Sequence, residues 1–494
     1  MITIDGRHLA LADIVAVADG ASVGLAAEAI ARMSASQESA VATASRRPVY
    51  GRSTGVGANK TVTLADVEGA DTHGLKLLRS HAVDAGRTLD RRTVRAMMAV
   101  RLSQLAAGGS GISPVIAEAL AGMINADVVP EIREFGGIGT ADLPALAGTA
   151  LTMLGERQPL GAGAAPSLLE AWPTADALPF ISSSALTIAQ AVLAHHALGR
   201  LLENAMTVAG LSFIAMDGNP EALSPAVAAA ADSAAVTTAA DTLRTLVEGI
   251  GTPARIQDPY CLRTLPQIFG SQLEEHDALG RLLERLVVAG NENPLVVGVP
   301  ADGTNDVAHH GLFQMTNLAR RMDVLNLAVG AACATHLRRI DLLCDPAYTG
   351  LHPFLAEDGS GQSGVMMLEY VAAAAVGRIR ANAQPASLQT VVLSLGAEED
   401  ASFASLAAAQ LLSTARALET VTAVELVCAV RALRLQGREP KELRSARLKN
   451  LLDAGFSLPA GMEDRDLRGD VEEAVLLVRA SYQAGPAGNF DRLR

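Results

Sequence analysis

The sequence predicts a mainly α-helical protein with minor β elements, and three observations carry that prediction. Apolar residues recur at helical spacing through Ala185 to Met206, Leu279 to Gly290, Leu312 to Cys333 and Ser402 to Leu435. Aromatic residues make up only 3% of the chain, and alanine and leucine fill these long stretches instead. Strand signals are few and short; the best of them, Val128 to Ile132, is interrupted by Pro130, which has no amide hydrogen to give to a ladder.

Taken in order, Asp13 to Met33 reads as one helix and Asp90 to Ala107 as another, the second opening on Asp90 as N-cap ahead of Arg91 and Thr93. Between them lies the loop Tyr50-Gly51-Arg52-Ser53-Thr54-Gly55-Val56-Gly57-Ala58-Asn59-Lys60, whose three glycines can take backbone shapes that β-carbons forbid. A phosphate-binding loop is not expected there, because Asn59 stands where glycine must precede the lysine. A second such loop, Phe135 to Pro144, separates helical stretches and ends in Asp142 as a cap with Pro144 in the first turn. The Pro/Gly/Ala-rich stretch Gln158 to Pro179 is the best boundary candidate. It suggests an N-terminal domain carrying the glycine loops, 1–180, and a helical domain with the C-terminal helices, 181–494.

The chain has 494 residues, 49% hydrophobic and 19% charged, with a mean hydropathy of +0.25, which excludes a disordered chain. A net charge of −13 is the wrong sign for a nucleic-acid or anionic-membrane binder, so the expected partner is a small molecule or a protein. No signal-peptide pattern and no uncharged apolar run of about 18 residues occurs, so neither export nor membrane spanning is expected. Four cysteines without a CxxC pair indicate neither a disulfide framework nor a thiolate zinc site, and suggest a reducing cytoplasm. Neither His195-His196 nor His309-His310 is expected to hold a metal, since adjacent side chains diverge on a helix.

Two polar segments stand out. In Ile256 to Gln267, Arg263 lies close enough to Tyr260 to clamp a carboxylate beside the phenol, although a structural ion pair accounts for the composition equally well. The run Glu398-Glu399-Asp400 follows the Pro385-Ala386-Ser387 break and by itself reads as a solvated helix start.

Tyr50-Gly51 with Thr54-Gly55-x-Gly57, Ser80-His81-Ala82 and Gln257-Asp258-Pro259-Tyr260-x-Leu262-Arg263-x-x-Pro266-Gln267 occur in one order, with further matches at Ser110-Gly111-Ile112, Asp345-Pro346, Pro353-Phe354-Leu355, Gly361-x-Ser363-Gly364 and Pro385-Ala386-Ser387. Together they resemble the aromatic amino acid ammonia-lyases, the histidine ammonia-lyase group, over nearly the whole chain. The resemblance implies an ammonia-lyase-like fold with a central bundle of long helices, assembled as a homotetramer whose active sites draw on several subunits. By the same resemblance Tyr50 is the general base that removes a β-proton, Arg263 binds the substrate carboxylate, Tyr260 and Gln257 are its neighbours, and His81 belongs to the side-chain pocket. An ungapped count places Glu398 on the family's active-site glutamate, while aligning the acidic pair chooses Glu399.

The departures are as telling as the matches. In the family an Ala-Ser-Gly triplet within Gly-Ser-x-Gly-Ala-Ser-Gly-Asp-Leu cyclises to methylidene-imidazolone, the electrophile that activates the amine. Here the loop reads Gly136-Gly137-Ile138-Gly139-Thr140-Ala141-Asp142-Leu143, one residue short, without the serine that dehydrates or the glycine amide that closes the ring. Thr140, Ala141 and Asp142 therefore form an altered loop, and no such cofactor is expected. Ser182 stands where the family has asparagine, His309 where it has an aromatic residue, and Ser53 where it has another asparagine. The expected function is a lyase, independent of methylidene-imidazolone, that performs Tyr-initiated β-elimination on a carboxylate substrate with its own leaving group, such as a trimethylammonium betaine, as ergothionase-like members do. Two other readings stay open: a cyclase, isomerase or dehydratase of specialised metabolism on the same scaffold, and a non-catalytic binding homologue.

Overall fold

A computed structural model of the protein describes residues 1–64, 72–161, 167–231, 233–297, 306–357 and 361–480. The chain forms two compact units, each assembled from separate stretches: Met1–His196 with Leu279–Asp323 and Pro385–Leu412, and Ala197–Ala278 with Val324–Gln384 and Ser413–Arg494. A single cut near residue 180 does not describe this arrangement, because the helices Ala185–Ala215, Leu265–Leu286, Thr316–Leu343 and Ala404–Leu435 each begin in one unit and end in the other. Of the expected boundary Gln158 to Pro179, residues 162–166 lie outside the described residues.

The protein is mainly helical, as the spacing predicts, and its described β structure is three two-stranded sheets. In the first unit Ile2–Ile4 pairs in parallel with Val23–Leu25, so the expected helix Asp13 to Met33 is two helices, Leu11–Ala18 and Ala27–Ala44, with a strand between them. The break falls at Gly20, whose φ of +113° no β-carbon favours. The strand expected over Val128 to Ile132 forms instead at Arg133–Phe135, antiparallel to Ala85–Thr88, and Pro130 is left in an isolated bridge to Pro159. Asp90 does cap the helix Arg91–Ala106, its carboxylate accepting from Thr93 N at 2.8 Å. That helix is buried almost throughout. Its Arg101 is satisfied by Phe180 O, Pro179 O and a 2.7 Å ion pair with the fully buried Glu292.

The second unit is a helical bundle around a buried polar knot. Glu425 accepts from Arg339 Nε at 2.6 Å, from Arg339 Nη2 at 2.9 Å and from Ser212 Oγ at 2.9 Å, with His336 Nδ1 at 3.3 Å. Burial alone would raise the Glu425 carboxyl, but the Arg339 charge and the hydrogen bonds of His336 and Arg339 hold it down at about 2. Arg339 also reaches the Cys261 carbonyl at 3.4 Å, in the short turn Tyr260–Arg263. Among the described residues one stretch, Thr174–Ala215, is long and apolar enough to cross a membrane, and 94% of its most apolar part is buried inside the protein, as in a core helix.

Candidate active site

The Tyr50 loop is built by close packing. Gly51 has φ +70°, and a β-carbon there would lie 2.1 Å from Leu178 Cδ2, so only glycine lets Tyr50 approach the helix Ala177–Ile181 this closely. Ser53 N donates to Val49 O at 3.0 Å and Ser53 Oγ accepts from Val49 N at 2.9 Å, closing the turn around Tyr50. The Tyr50 phenol oxygen accepts from Gly57 N at 2.7 Å, so the later glycine of the loop hydrogen-bonds the proposed base.

Two expected residues, His309 and Glu398, meet Tyr50 within the first unit. His309 Nε2 accepts from Tyr50 N at 3.2 Å, which requires that nitrogen to be unprotonated. Burial, Arg47 and His310 lower the His309 pKa against the pull of Asp306, in keeping with a neutral ring. Burial raises the Tyr50 phenol above its usual value and the Glu398 charge raises it further, with only the Gly57 amide opposing. Glu398 rather than Glu399 is thus the acidic residue within electrostatic reach of Tyr50; it is half-buried while Glu399 is exposed, and burial raises its own carboxyl.

The altered loop is pinned along its length. Gly137 O accepts from Ser405 Oγ at 2.8 Å, Ile138 O from Phe403 N at 2.9 Å and Gly139 O from Ser402 Oγ at 2.8 Å. Thr140 bridges to Gln314, whose amide donates to Asp400 at 2.7 Å, two residues past Glu398. Non-glycine residues with left-handed backbone gather here, at Ala141 (φ +85°), Ser394 (+53°), Leu395 (+57°) and Phe403 (+50°). Asp142 holds the N-cap position of Leu143–Met153 with Pro144 in its first turn, but its side chain makes no cap bond there. The carboxylate instead accepts from Thr187 N at 2.8 Å and Thr187 Oγ1 at 2.9 Å, capping the first turn of Ala185–Ala215, and its own amide donates to Ser183 O at 2.7 Å.

These residues do not fit a methylidene-imidazolone. No serine is available to dehydrate, and the one amide following Ala141 is already engaged with Ser183. Beside the loop, Ser182 Oγ accepts from Asn293 N at 3.2 Å, and Asn293 Oδ1 accepts from His310 N at 3.0 Å.

Gln257, Tyr260 and Arg263 form their own group in the second unit. The Arg263 guanidinium stacks over the Tyr260 ring at 4.2 Å from its centroid, and the Gln257 amide oxygen accepts from Arg263 Nη2 at 3.0 Å and also from Nη1. His81 ends the helix His73–His81 in the first unit, its Nδ1 lying 3.0 Å from both Leu77 O and Ser80 Oγ. No hydrogen bond joins His81 to Tyr50 or Glu398 among the described residues. Among those residues no group of three or more His, Cys, Asp or Glu side chains could hold a metal. Residues that motif reading passed over include Arg52, Asp176, Thr187 and Gln314. Only Arg52 left a trace in the sequence, as a long cation inside a glycine loop.

The chain is 31% identical to histidine ammonia-lyase of Streptomyces coelicolor over 510 residues, spanning 98% of each protein, and 32% identical to that of Treponema denticola over 499 residues, spanning 97% and 96%. In structure it is similar to phenylalanine aminomutase of Pantoea agglomerans (26% identity, TM-score 0.89, 98% and 99% covered). It shares its fold with ergothionase of Treponema denticola, an ergothioneine-degrading enzyme solved with desmethyl-ergothioneine sulfonic acid (22% identity, TM-score 0.87, 97% and 98% covered). The pattern of the family described as aromatic amino acid lyase matches residues 9–455, and the chain belongs to that family and is a lyase.

Proposed function

We propose that this lyase works without methylidene-imidazolone, by β-elimination from an amino-acid-derived carboxylate whose amine is already a good leaving group, such as a trimethylammonium betaine. The observation that carries the reading is the Thr140-Ala141-Asp142 loop, which lacks the serine and the free amide of the ring and is tied shut by Ser183 and Thr187. Without that electrophile a primary amine is a poor leaving group, whereas a quaternary ammonium departs with the C–N electron pair unaided. In the proposed step Tyr50 Oη takes the β-proton, the C–H pair becomes the C=C bond, and a neutral tertiary amine leaves. Arg263, with Gln257 and Tyr260, holds the carboxylate; Ser182 and His309 line the substrate.

The electrostatics of Tyr50 support a cationic substrate. Burial and Glu398 both disfavour its phenolate, and a fixed positive charge brought about 5 Å from the phenol would favour it by about 3 kcal/mol at an effective dielectric constant of about 20. That is about two decades of ionisation at the moment of binding. Ergothionase, which shares the fold and degrades ergothioneine, lends the reading a precedent.

We further place the enzyme in the reducing cytoplasm as a homotetramer. Its four cysteines are free and buried, and Met367, Tyr370 and Val371 expose an apolar stripe on the helix Met366–Asn382 that a second copy would cover. The test is near-ultraviolet absorbance of a conjugated acrylate during incubation with histidine and, separately, with its trimethylated betaine, together with the intact mass of the protein. Product from the betaine alone, at the mass of the unmodified chain and abolished by Tyr50→Phe, is expected. Product from histidine with a mass deficit of two waters overturns it. The aminomutase neighbour favours isomerisation as the second reading; it predicts a product isomeric with its substrate and no released amine.

A further inference from the structure

We infer that Arg52 is a positioning residue for Tyr50, bolting the base loop to the turn that carries Ser182. Arg52 follows Tyr50-Gly51 directly, and although it is a guanidinium it is only 8% exposed. Its Nη2 donates to Ser110 O at 2.9 Å and Gly111 O at 2.7 Å, and its Nη1 lies 3.8 Å from Asp176 Oδ1. Asp176 is 2% exposed and its other oxygen accepts from Ser113 N at 3.0 Å. It immediately precedes the helix Ala177–Ile181, which ends at Ser182 and supplies the Leu178 side chain that Gly51 packs against. One buried ion pair therefore fixes both flanks of the proposed reaction centre. Removing either partner leaves a buried charge uncompensated, which the loop relieves by moving. Arg52 itself touches no reacting atom; it sets the Tyr50 backbone within two residues, where a displacement of about 1 Å costs catalysis up to about a hundredfold.

The inference rests on Tyr50 being the base, and its test separates the two. Fluorotyrosine incorporated at the five tyrosines gives a fluorine NMR resonance for Tyr50, assigned by its loss in Tyr50→Phe. Arg52→Met is expected to shift that resonance while those of Tyr260, Tyr348 and Tyr370 stay, and to lower kcat for betaine elimination about tenfold to a hundredfold with KM little changed. Arg52→Lys, which keeps the charge, is expected to recover part of both. An unmoved Tyr50 resonance in folded Arg52→Met overturns the inference. Should that variant not fold, Asp176→Asn, which leaves both carbonyl hydrogen bonds of Arg52 in place, carries the same prediction and the same refutation. A shifted resonance in a protein that eliminates no betaine upholds the positioning role and refutes the elimination instead.

Discussion

Replacing Asp142 by asparagine tests the altered loop through its electrostatics. The carboxyl is 2% exposed and burial pushes it up to about 6 from its ordinary 3.8, against the opposing hydrogen bonds of Thr187 and Leu186. The difference corresponds to about 3 kcal/mol between the ionised and neutral forms. Because the folded value lies above the unfolded one, the native state holds the proton more tightly. The stabilisation from this proton is therefore complete below about pH 4, declines as the pH rises and is lost above about 6. Asparagine keeps an oxygen for Thr187 N and cannot ionise, so it removes this dependence while preserving the cap. Urea denaturation midpoints of both proteins, followed by circular dichroism from about pH 5 to about pH 8, are expected to diverge. Raising the pH across that range should cost the parent about 1.4 kcal/mol relative to the variant, about half of the full figure, the other half having been lost between about pH 4 and about pH 5. Parallel curves would mean that Asp142 stays ionised throughout, and that the Thr187 hydrogen bonds outweigh burial. Asp142→Ala, which strands the Thr187 amide, should instead lose about 1–3 kcal/mol at every pH.

Two further substitutions probe the scaffold. Arg339→Met leaves the buried Glu425 without its main cation and is expected to lower stability by about 3–5 kcal/mol, with most recovered in the double variant Arg339→Met/Glu425→Leu; a thermal melt unchanged by the single substitution would show the knot to be dispensable. Gly51→Ala places a methyl against Leu178 in a backbone shape that alanine resists, and should cost about 1–3 kcal/mol along with turnover; a melting temperature equal to the parent's would refute the close approach of base loop and helix.

How far the sequence discloses such features depends on how local their causes are. The long helices were legible because alanine and leucine spacing is written along the chain itself, and Asp90 and Pro144 because caps and first-turn prolines act over three or four residues. The split of Asp13 to Met33 was not, since three residues become a strand only by meeting Ile2–Ile4. The two compact units were hidden for the same reason: helices that run from one into the other leave no compositional break at which to cut.

The candidate site divides along the same line. Tyr50, His81, Tyr260, Arg263 and Glu398 could be named because their motifs are short and ordered, and the defect of the Thr140-Ala141-Asp142 loop could be read letter by letter. What those letters do in place of a ring could not, because Asp142 finds its partner 45 residues on, at Thr187, rather than in the helix it precedes. A local reading makes Asp142 a cap for Leu143–Met153; the fold gives its carboxylate to the start of Ala185–Ala215 and its amide to Ser183, beside Ser182. The loop is therefore held without slack at Asp142. The tie between the Asp142 amide and Ser183 holds this loop beside Ser182, so under the proposed reading the chain would do without its family's electrophile while the frame around the Tyr50 loop stays fixed.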